Sequence, residues 1–144
     1  MKSLSGVMVN IFTYGSLMFD RIWSLVVDGT YLKAEAVLKG YDRKGIKGKE
    51  YPAIFPAAIH SQVSGLVYFS VSSADIAKLD IFEGEYYYRK TEEVVISAKN
   101  MVAAEVFVLK EEYYPIISPQ DWDAEQFRTK GIHRFIDNYT GFSR

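Results

Sequence analysis

The chain has 144 residues, of which 49% are hydrophobic and 24% charged, as is typical of one soluble globular domain with a real core. The formal net charge is −1 and no basic stripe is seen, so no nucleic-acid partner is expected. The absence of cysteine excludes disulfides, thiolate catalysis and cysteine-ligated zinc. No apolar run approaches the roughly 18 residues of a membrane span. The N-terminus also lacks a signal-peptide pattern, so we expect a cytoplasmic protein without a membrane partner.

The first predicted elements are a strand and a short helix. Val7 to Tyr14 is rich in branched and aromatic residues, which predicts a central strand buried on both faces. The pair Gly15-Ser16 breaks this strand. A helix is predicted over Asp20 to Val26, with Ile22 and Leu25 facing the interior.

The turn Tyr14-Gly15-Ser16-Leu17 therefore lies between the end of a strand and the start of a helix. Glycine permits close approach of the backbone to a ligand, and successive N–H groups in such a turn form a nest of the size of an anion. A plain connection between strand and helix is the other interpretation. Ser16 is not expected to be a hydrolase nucleophile, because the pattern G-x-S-x-G is absent.

The middle of the chain alternates strands with polar or proline-containing segments. Asp42 to Glu50 contains four Lys or Arg and predicts a mobile, solvated loop. The two prolines in Tyr51 to Pro56 predict extended backbone outside a ladder, along a pocket wall or a sheet edge. Gln62 to Val71 predicts a strand in which Gly65 marks a bulge or a sharp bend. A further strand is predicted over Tyr31 to Tyr41, with one face formed by Ala34, Ala36 and Leu38.

The next predicted helix ends in a carboxylate, Glu83. Ser72 suits its N-cap and Gly84 its end. At about 100° per residue, Ile76, Leu79 and Glu83 fall on one core-facing stripe. Burial and the negative end of the helix dipole both disfavour the charged form, which raises the pKa of Glu83 toward the range of a general acid or base.

Two structural interpretations of Glu83 stay open beside the catalytic one. In the first, the helix ends one residue early and Glu83 is solvated. In the second, Glu83 is the buried ion-pair partner of Arg89 or of a lysine.

Two further strands are predicted at Thr91 to Ser97 and Val102 to Leu109, joined by a tight turn at Lys99-Asn100. From Asp121 to Tyr139 the pattern is helical, with Gly131 as the candidate break between two helices. The buried positions expected in this segment are Trp122, Phe127, Ile132, Phe135, Ile136 and Tyr139.

Strands outnumber helices and are mostly joined by connections of hairpin length. This arrangement predicts an α+β fold, a small closed or strongly curved mixed barrel flanked by a few helices. His60 and His133 have no second ligand at metal spacing, and no nucleotide-binding glycine pattern occurs, so no metal or cofactor is expected. Any chemistry must then come from carboxylates, tyrosines and backbone amides.

A set of motifs in one order resembles the gamma-glutamylcyclotransferase superfamily, and more narrowly its AIG2-like, gamma-glutamylamine cyclotransferase branch. The resemblance spans about residues 8 to 110. It implies a single domain over residues 1–144, with 121–140 as a C-terminal helical extension. The motifs are Phe12 to Leu17, Tyr51-Pro52-Ala53, Gly65 to Tyr68, and Leu79 to Gly84 followed by Tyr88-Arg89.

The resemblance also implies an activity and its residues. Glu83 matches the catalytic general acid and base, and Tyr14, Gly15, Ser16 and Leu17 match the loop whose amides hold the α-carboxylate of a γ-glutamyl group. Tyr51 and Tyr88, with Arg89, match residues that line or brace the pocket. The implied reaction is of the acyltransferase or lyase type and needs no cofactor: the α-amine attacks the γ-carbonyl and releases 5-oxoproline with an amine or amino acid. The expected partner is a small γ-glutamyl substrate, and the expected state a monomer or weak homodimer.

Two other functions remain compatible with the sequence. One is a non-catalytic module of the same fold that binds a small ligand or regulates a partner. The other is an interaction domain that uses a tyrosine-rich surface. That last interpretation requires Glu83 to pair with a basic residue and no pocket to open beside it.

Overall fold

The structure is a computed structural model that describes residues 8–98 and 100–142, apart from the side chains of 139–142. Its helices are α1 (Asp20–Val26), α2 (Ser73–Glu83), α3 (Ala124–Gln126) and α4 (Ile132–Phe142), with short 3₁₀ helices at Ser16–Met18 and Glu111–Ile116. Its strands are β1 (Met8–Thr13), β2 (Lys33–Lys39), β3 (Tyr41–Gly45), β4 (Pro52–Pro56), β5 (Gln62–Ser72), β6 (Tyr87–Ser97) and β7 (Asn100–Leu109).

Five strands close into a barrel in the order β1-β5-β2-β6-β7. Neighbouring strands are antiparallel except β1 and β7, which pair in parallel and complete the closure. The strands β3 and β4 form a separate two-stranded sheet. The α+β fold expected from the sequence, a small mixed barrel flanked by a few helices, is therefore confirmed.

The strand β1 lies between β5 and β7, and its last three residues are buried. Gly65 does not mark a bulge, because β5 pairs with β2 in regular register there. It marks a close approach instead: a Cβ on Gly65 would lie 2.0 Å from the carbonyl oxygen of Thr13. The shift in register occurs further along, between Val9 and Ile11 of β1.

The two main helices begin and end close to their predicted positions. The Ser72 side chain accepts a hydrogen bond from the Asp75 N–H at the start of α2, and Gly84 ends that helix with a φ of 78°. The inward face of α1 differs from the prediction, because Leu25 is 46% exposed. Trp23 and Val26 are buried with Ile22 instead, and the Trp23 ring stacks on Tyr68 at 3.6 Å between centroids.

The prediction of a mobile, solvated loop over Asp42 to Glu50 is wrong for its first half, because β3 extends to Gly45, whereas residues 47–49 are exposed and outside any strand; Pro52–Pro56 does join a ladder. β3 and β4 pair from Tyr41 opposite Pro56 to Gly45 opposite Pro52. The prolines are tolerated because they stand at the two ends of β4. Arg43 is held in place, since its Nη1 donates to the Tyr14 carbonyl at 2.7 Å and its guanidinium lies 5.3 Å from the centre of the Trp122 ring.

The C-terminal helical segment begins at Ala124, because the side chain of Asp123 caps it by accepting from the N–H groups of Glu125 and Gln126. Gly131 does not divide the segment, since a π turn, Phe127–Gly131, joins α3 to α4. Phe127 and Ile132 are buried, whereas Trp122, Phe135 and Ile136 are half-buried.

Two predicted features lie outside the described residues. Lys99 of the predicted β6–β7 turn is one, and the side chain of Tyr139 is the other. Within residues 8–98 and 100–142, no helix has the length and apolar character needed to cross a bilayer.

Candidate active site

A cavity of about 870 Å³ opens between the turn after β1, the end of α2, the residues before β4 and one face of α4. This volume is within the range of small-molecule sites in proteins. Its walls bring together most of the residues that the sequence singled out. They include Tyr14, Gly15, Ser16, Leu17, Tyr51 and Glu83, together with Tyr86 and Tyr87.

Placing Tyr88 in the pocket was wrong. Tyr88 is 42% exposed and does not line the cavity. Side chains alternate between the two faces of a strand, so its neighbour Tyr87 takes the inward position at the start of β6. Tyr87 is buried, and its hydroxyl donates to the carbonyl of Pro52 at 2.9 Å. The structure does not test the roles of the other predicted residues, which stay predictions.

Glu83 is the last residue of α2, on the wall of the cavity. The residue is partly exposed, yet its carboxyl is enclosed, and this burial raises its pKa from an ordinary 4.5 to about 8, with the nearby charge of Asp80 acting in the same direction. Within the described residues, the carboxyl has no ion-pair partner and accepts no hydrogen bond. A carboxyl of this kind can take up and release protons near neutral pH.

Among the described residues, neither structural interpretation of Glu83 holds. The helix extends through Glu83 and ends at Gly84. Arg89 pairs elsewhere, at 2.8 Å from Asp80 and 2.9 Å from Glu105. The interpretation of the chain as an interaction domain also fails, because it required an ion-paired Glu83 without a pocket.

The Tyr14–Leu17 turn presents backbone donors at the cavity. The carbonyls of Gly15 and Ser16 accept from the N–H groups of Met18 and Phe19 at 3.0 and 3.1 Å, which folds the turn tightly. In the part of the chain that the structure describes, the N–H groups of Gly15, Ser16 and Leu17 have no acceptor. Such a run of free donors can hold a carboxylate.

Gly15 is required by the neighbouring strand. A Cβ on Gly15 would lie 2.7 Å from Cδ of Pro52, so any side chain there would push the turn away from β4. The absence of a side chain thus fixes the distance between the Tyr14–Leu17 turn and the wall that carries Tyr51.

Two of the cavity tyrosines are hydrogen-bonded to backbone carbonyls, and two have free hydroxyls among the described residues. Tyr14 donates to the Phe107 carbonyl at 2.6 Å, as Tyr87 does to Pro52. A phenol has one proton, so neither hydroxyl has another to donate. Burial raises the pKa of both, and the negative charge of Glu83 acts in the same direction. The hydroxyls of Tyr51 and Tyr86 have no hydrogen-bond partner among the described residues.

Sequence reasoning predicted part of the wall. The tyrosines after Glu83 and the Asp42–Glu50 segment were expected around the leaving part of the substrate, and Tyr86, Tyr87 and residues 48–50 do line the cavity. The residues from α4 were missed, namely Phe135, Asp137 and Asn138. The described residues contain no cluster of three or more His, Asp or Glu side chains arranged to hold a metal ion.

Comparison with known proteins gives one consistent family. The family model "Gamma-glutamyl cyclotransferase, AIG2-like" matches residues 11–124. Protein AIG2 C of Arabidopsis thaliana is 32% identical over 131 residues, which are 90% of this chain and 78% of that protein.

Solved structures agree on the fold. The solution structure of an Arabidopsis thaliana protein, 30% identical, covers 99% of this chain and 86% of its own with a TM-score of 0.71. A gamma-glutamyl cyclotransferase structure shares the fold alone, at 16% identity and a TM-score of 0.61, over 71% of this chain and 66% of its own. On the family match and the Arabidopsis relative, this chain belongs to the AIG2-like gamma-glutamyl cyclotransferase family.

Proposed function

We propose that the protein is a cyclotransferase that cleaves γ-glutamyl amides into 5-oxoproline and an amine or amino acid, with Glu83 as general acid and base. The observation that carries this proposal is the unpaired carboxyl of Glu83, which has a pKa of about 8 and shares a cavity with the free backbone donors of the Tyr14–Leu17 turn. Family membership supports the same reaction class. A cytoplasmic location and a monomeric or weakly dimeric state stay predictions.

Substrate binding is assigned to the Tyr14–Leu17 turn. The α-carboxylate of a γ-glutamyl group fits the three free N–H groups, because each is a donor aimed at no other acceptor within the described residues. Ser16 lines the same cavity, and its hydroxyl is a further possible donor. This arrangement binds the head group common to all γ-glutamyl amides.

Glu83 then moves the protons of the reaction. The substrate's α-ammonium is not nucleophilic until the Glu83 carboxylate removes a proton from it. The free amine attacks the γ-carbonyl carbon, a C–N bond forms within the substrate, and the bond to the leaving amine breaks. The attacking nitrogen gives up a second proton as the lactam forms, and Glu83 passes both protons in turn to the leaving nitrogen, so the products are 5-oxoproline and a protonated amine and no other reactant is needed. The attack is intramolecular and benefits from a large effective molarity.

The developing oxyanion needs a donor that is not already engaged. Tyr14 and Tyr87 are engaged with backbone carbonyls. The donors that remain at the cavity include the hydroxyls of Tyr51 and Tyr86 and any loop amide that the α-carboxylate leaves free; Tyr51 is half-buried beside Pro52. We therefore assign this role to one of these free donors and bracing to Tyr14 and Tyr87.

The test is a coupled assay for 5-oxoproline with purified protein and a panel of γ-glutamyl amines and dipeptides. Wild type is expected to release 5-oxoproline from at least one of them, and Glu83→Gln from none. Glu35→Gln, an exposed glutamate on β2, is the matched control and should retain wild-type activity.

Other outcomes of this assay would change the proposal. Release by both wild type and Glu83→Gln would mean that Glu83 is not the base. If wild type releases no 5-oxoproline but a γ-glutamyl amide still raises its melting temperature, the protein is a binding module and the proposed catalysis is contradicted.

A further inference from the structure

The C-terminal helix completes the cavity from outside the part of the chain that matches the family. The family match ends at residue 124, the first residue of α3. Beyond it, α4 supplies Phe135, Asp137 and Asn138 to the cavity wall. A part of the site is therefore built from a segment that the family model does not include.

Phe135 is fixed by aromatic contacts on three sides. Its ring lies edge-on to Tyr51 at 6.0 Å, to Phe82 at 5.9 Å and to Phe127 at 5.8 Å between centroids. Edge-to-face contacts at these distances are favourable and hold a ring in one orientation. Phe135 is consequently a defined surface of the cavity and is well placed to discriminate between ligands.

The helix is also fastened to the segment before β4. Arg134 pairs with Glu50 at 2.7 Å, and the indole N–H of Trp122 donates to the Glu50 carbonyl at 2.7 Å. Gly131 packs so closely on Glu50 that a Cβ there would lie 2.6 Å from its Oε1. These contacts set the position of α4 relative to the rest of the cavity.

Phe135 contacts residues that are adjacent in sequence to Glu83 and to Pro52. Phe82 precedes Glu83 in α2, and Tyr51 precedes Pro52, the residue against which Gly15 packs. A γ-glutamyl head held between the Tyr14–Leu17 turn and Glu83 fills only a fraction of the 870 Å³. The remaining volume must receive the part of the substrate that leaves as the amine, and its walls include these three aromatic rings.

We propose that Phe135, with Tyr51 and Phe82, forms an apolar wall for the leaving amine, so that α4 selects γ-glutamyl amides whose amine is apolar or aromatic. The inference rests on the proposed function and adds the chemistry of the leaving group to it. Phe135 is the specificity-determining residue and takes no part in proton transfer.

The test compares two substrates that differ only in the leaving amine, γ-glutamyl benzylamide and γ-glutamyl methylamide. The measured quantity is the ratio of their kcat/KM values. Phe135→Ala should lower this ratio roughly tenfold or more, since a hydrophobic pocket discriminates by at least that factor per group removed. Its effect on the methylamide should be small and should fall on KM.

Two further variants keep the test independent of folding. Phe135→Leu retains an apolar side chain in the wall and should recover much of the ratio. His133→Ala changes an exposed residue of the same helix and should match wild type. An equal loss on both substrates in Phe135→Ala would overturn the inference, as would a gain on the benzylamide, which would show that Phe135 obstructs the leaving group.

Calorimetric titration of the same two amides separates this inference from the proposed function. If wild type releases no 5-oxoproline but binds the benzylamide more tightly, and Phe135→Ala abolishes that preference, the proposed reaction fails and the apolar wall stands. If wild type binds neither amide, both fail.

Discussion

The two ends of helix α2 each carry an enclosed carboxyl, in opposite chemical states. Asp75 in the first turn is 3% exposed, and its oxygens accept from the backbone N–H groups of Asp28 and Gly29 at 3.0 and 2.9 Å. The hydroxyl of Tyr31 donates to it as well, at 2.6 Å. Burial alone would raise the pKa of Asp75, but these hydrogen bonds outweigh it and lower the pKa below its ordinary 3.8.

Glu83, at the other end, has the burial without the hydrogen bonds, and its pKa rises to about 8. The helix dipole adds to the contrast, because it favours a negative charge in the first turn and disfavours one in the last. Burial by itself therefore does not distinguish a structural carboxyl from a catalytic one. What distinguishes them is whether the protein donates hydrogen bonds to the ionised carboxylate.

Turnover should change more than any other property. Glu83→Gln should lower kcat by a factor of about 10²–10⁴, the usual worth of general acid–base catalysis. Asp75→Asn should leave kcat near the wild-type value at a temperature where the variant is folded, because Asp75 lies outside the cavity walls. Steady-state assays of both variants measure the difference, and equal losses would remove the contrast between the two ends of α2.

Stability should change in the reverse order. Asp75→Asn weakens three hydrogen bonds to a charged acceptor and should lower the free energy of unfolding by about 2 kcal/mol. Glu83→Gln removes no hydrogen bond seen among the described residues and should not destabilise the protein at pH 7. Urea unfolding followed by circular dichroism measures both, with Glu35→Gln as the control.

Glu83 and Asp75, at the two ends of α2, should change the stability of the protein with pH in opposite directions. The pKa of Glu83 is higher in the folded state, about 8 against 4.5, so its stabilising contribution is complete below pH 4.5 and is lost as the pH rises through 8. Glu83→Gln should remove that decline. Each unit of difference between the folded and unfolded pKa corresponds to about 1.4 kcal/mol, so the decline should be at least that large.

Asp75 works in the opposite direction. Its pKa is lowered on folding, so its contribution is present above pH 3.8 and is lost as the pH falls below that value. Asp75→Asn should therefore flatten the acid side of the stability profile and leave the side above pH 7 unchanged. A profile that changes only on the alkaline side would mean that Asp75 is not the stabilising carboxylate.

The charge of Asp80 should have only a small effect on the pKa of Glu83. The charge of Asp80 contributes to the raised pKa of Glu83, so Asp80→Asn should lower that pKa, and the release of Arg89 from its pair acts in the same direction. The shift should be a fraction of a unit, because burial is the larger cause. The acid limb of the pH profile of kcat/KM, which reports the free enzyme, measures it; a shift to higher pH would refute this cause.

The helix that carries Glu83 was predictable because its determinants are local. The Ser72 cap, the apolar stripe through Leu79 and the Gly84 stop all lie within one short segment, and the structure follows them. The Tyr14–Leu17 turn was predictable for the same reason, as a glycine between a strand and a helix.

The parts that could not be predicted depend on distant contacts. Arg43 is part of an ordered strand because β3 pairs with β4, and its side chain is held by the Tyr14 carbonyl, 29 residues away. Tyr87 rather than Tyr88 faces the cavity because β6 pairs with β7 in one register, which its own residues do not specify. The apolar face of α4 was visible in the sequence, but the pattern does not tell which wall Phe135 completes.

Carboxyl ¹³C NMR across a pH series measures directly whether the two enclosed carboxyls of α2 titrate far apart. We expect a midpoint near pH 8 for Glu83, absent in Glu83→Gln, and a midpoint below 3.8 for Asp75. A Glu83 midpoint near 4.5 would show an ordinary solvated carboxyl and would refute the enclosed, unpaired carboxyl on which the proposed function rests.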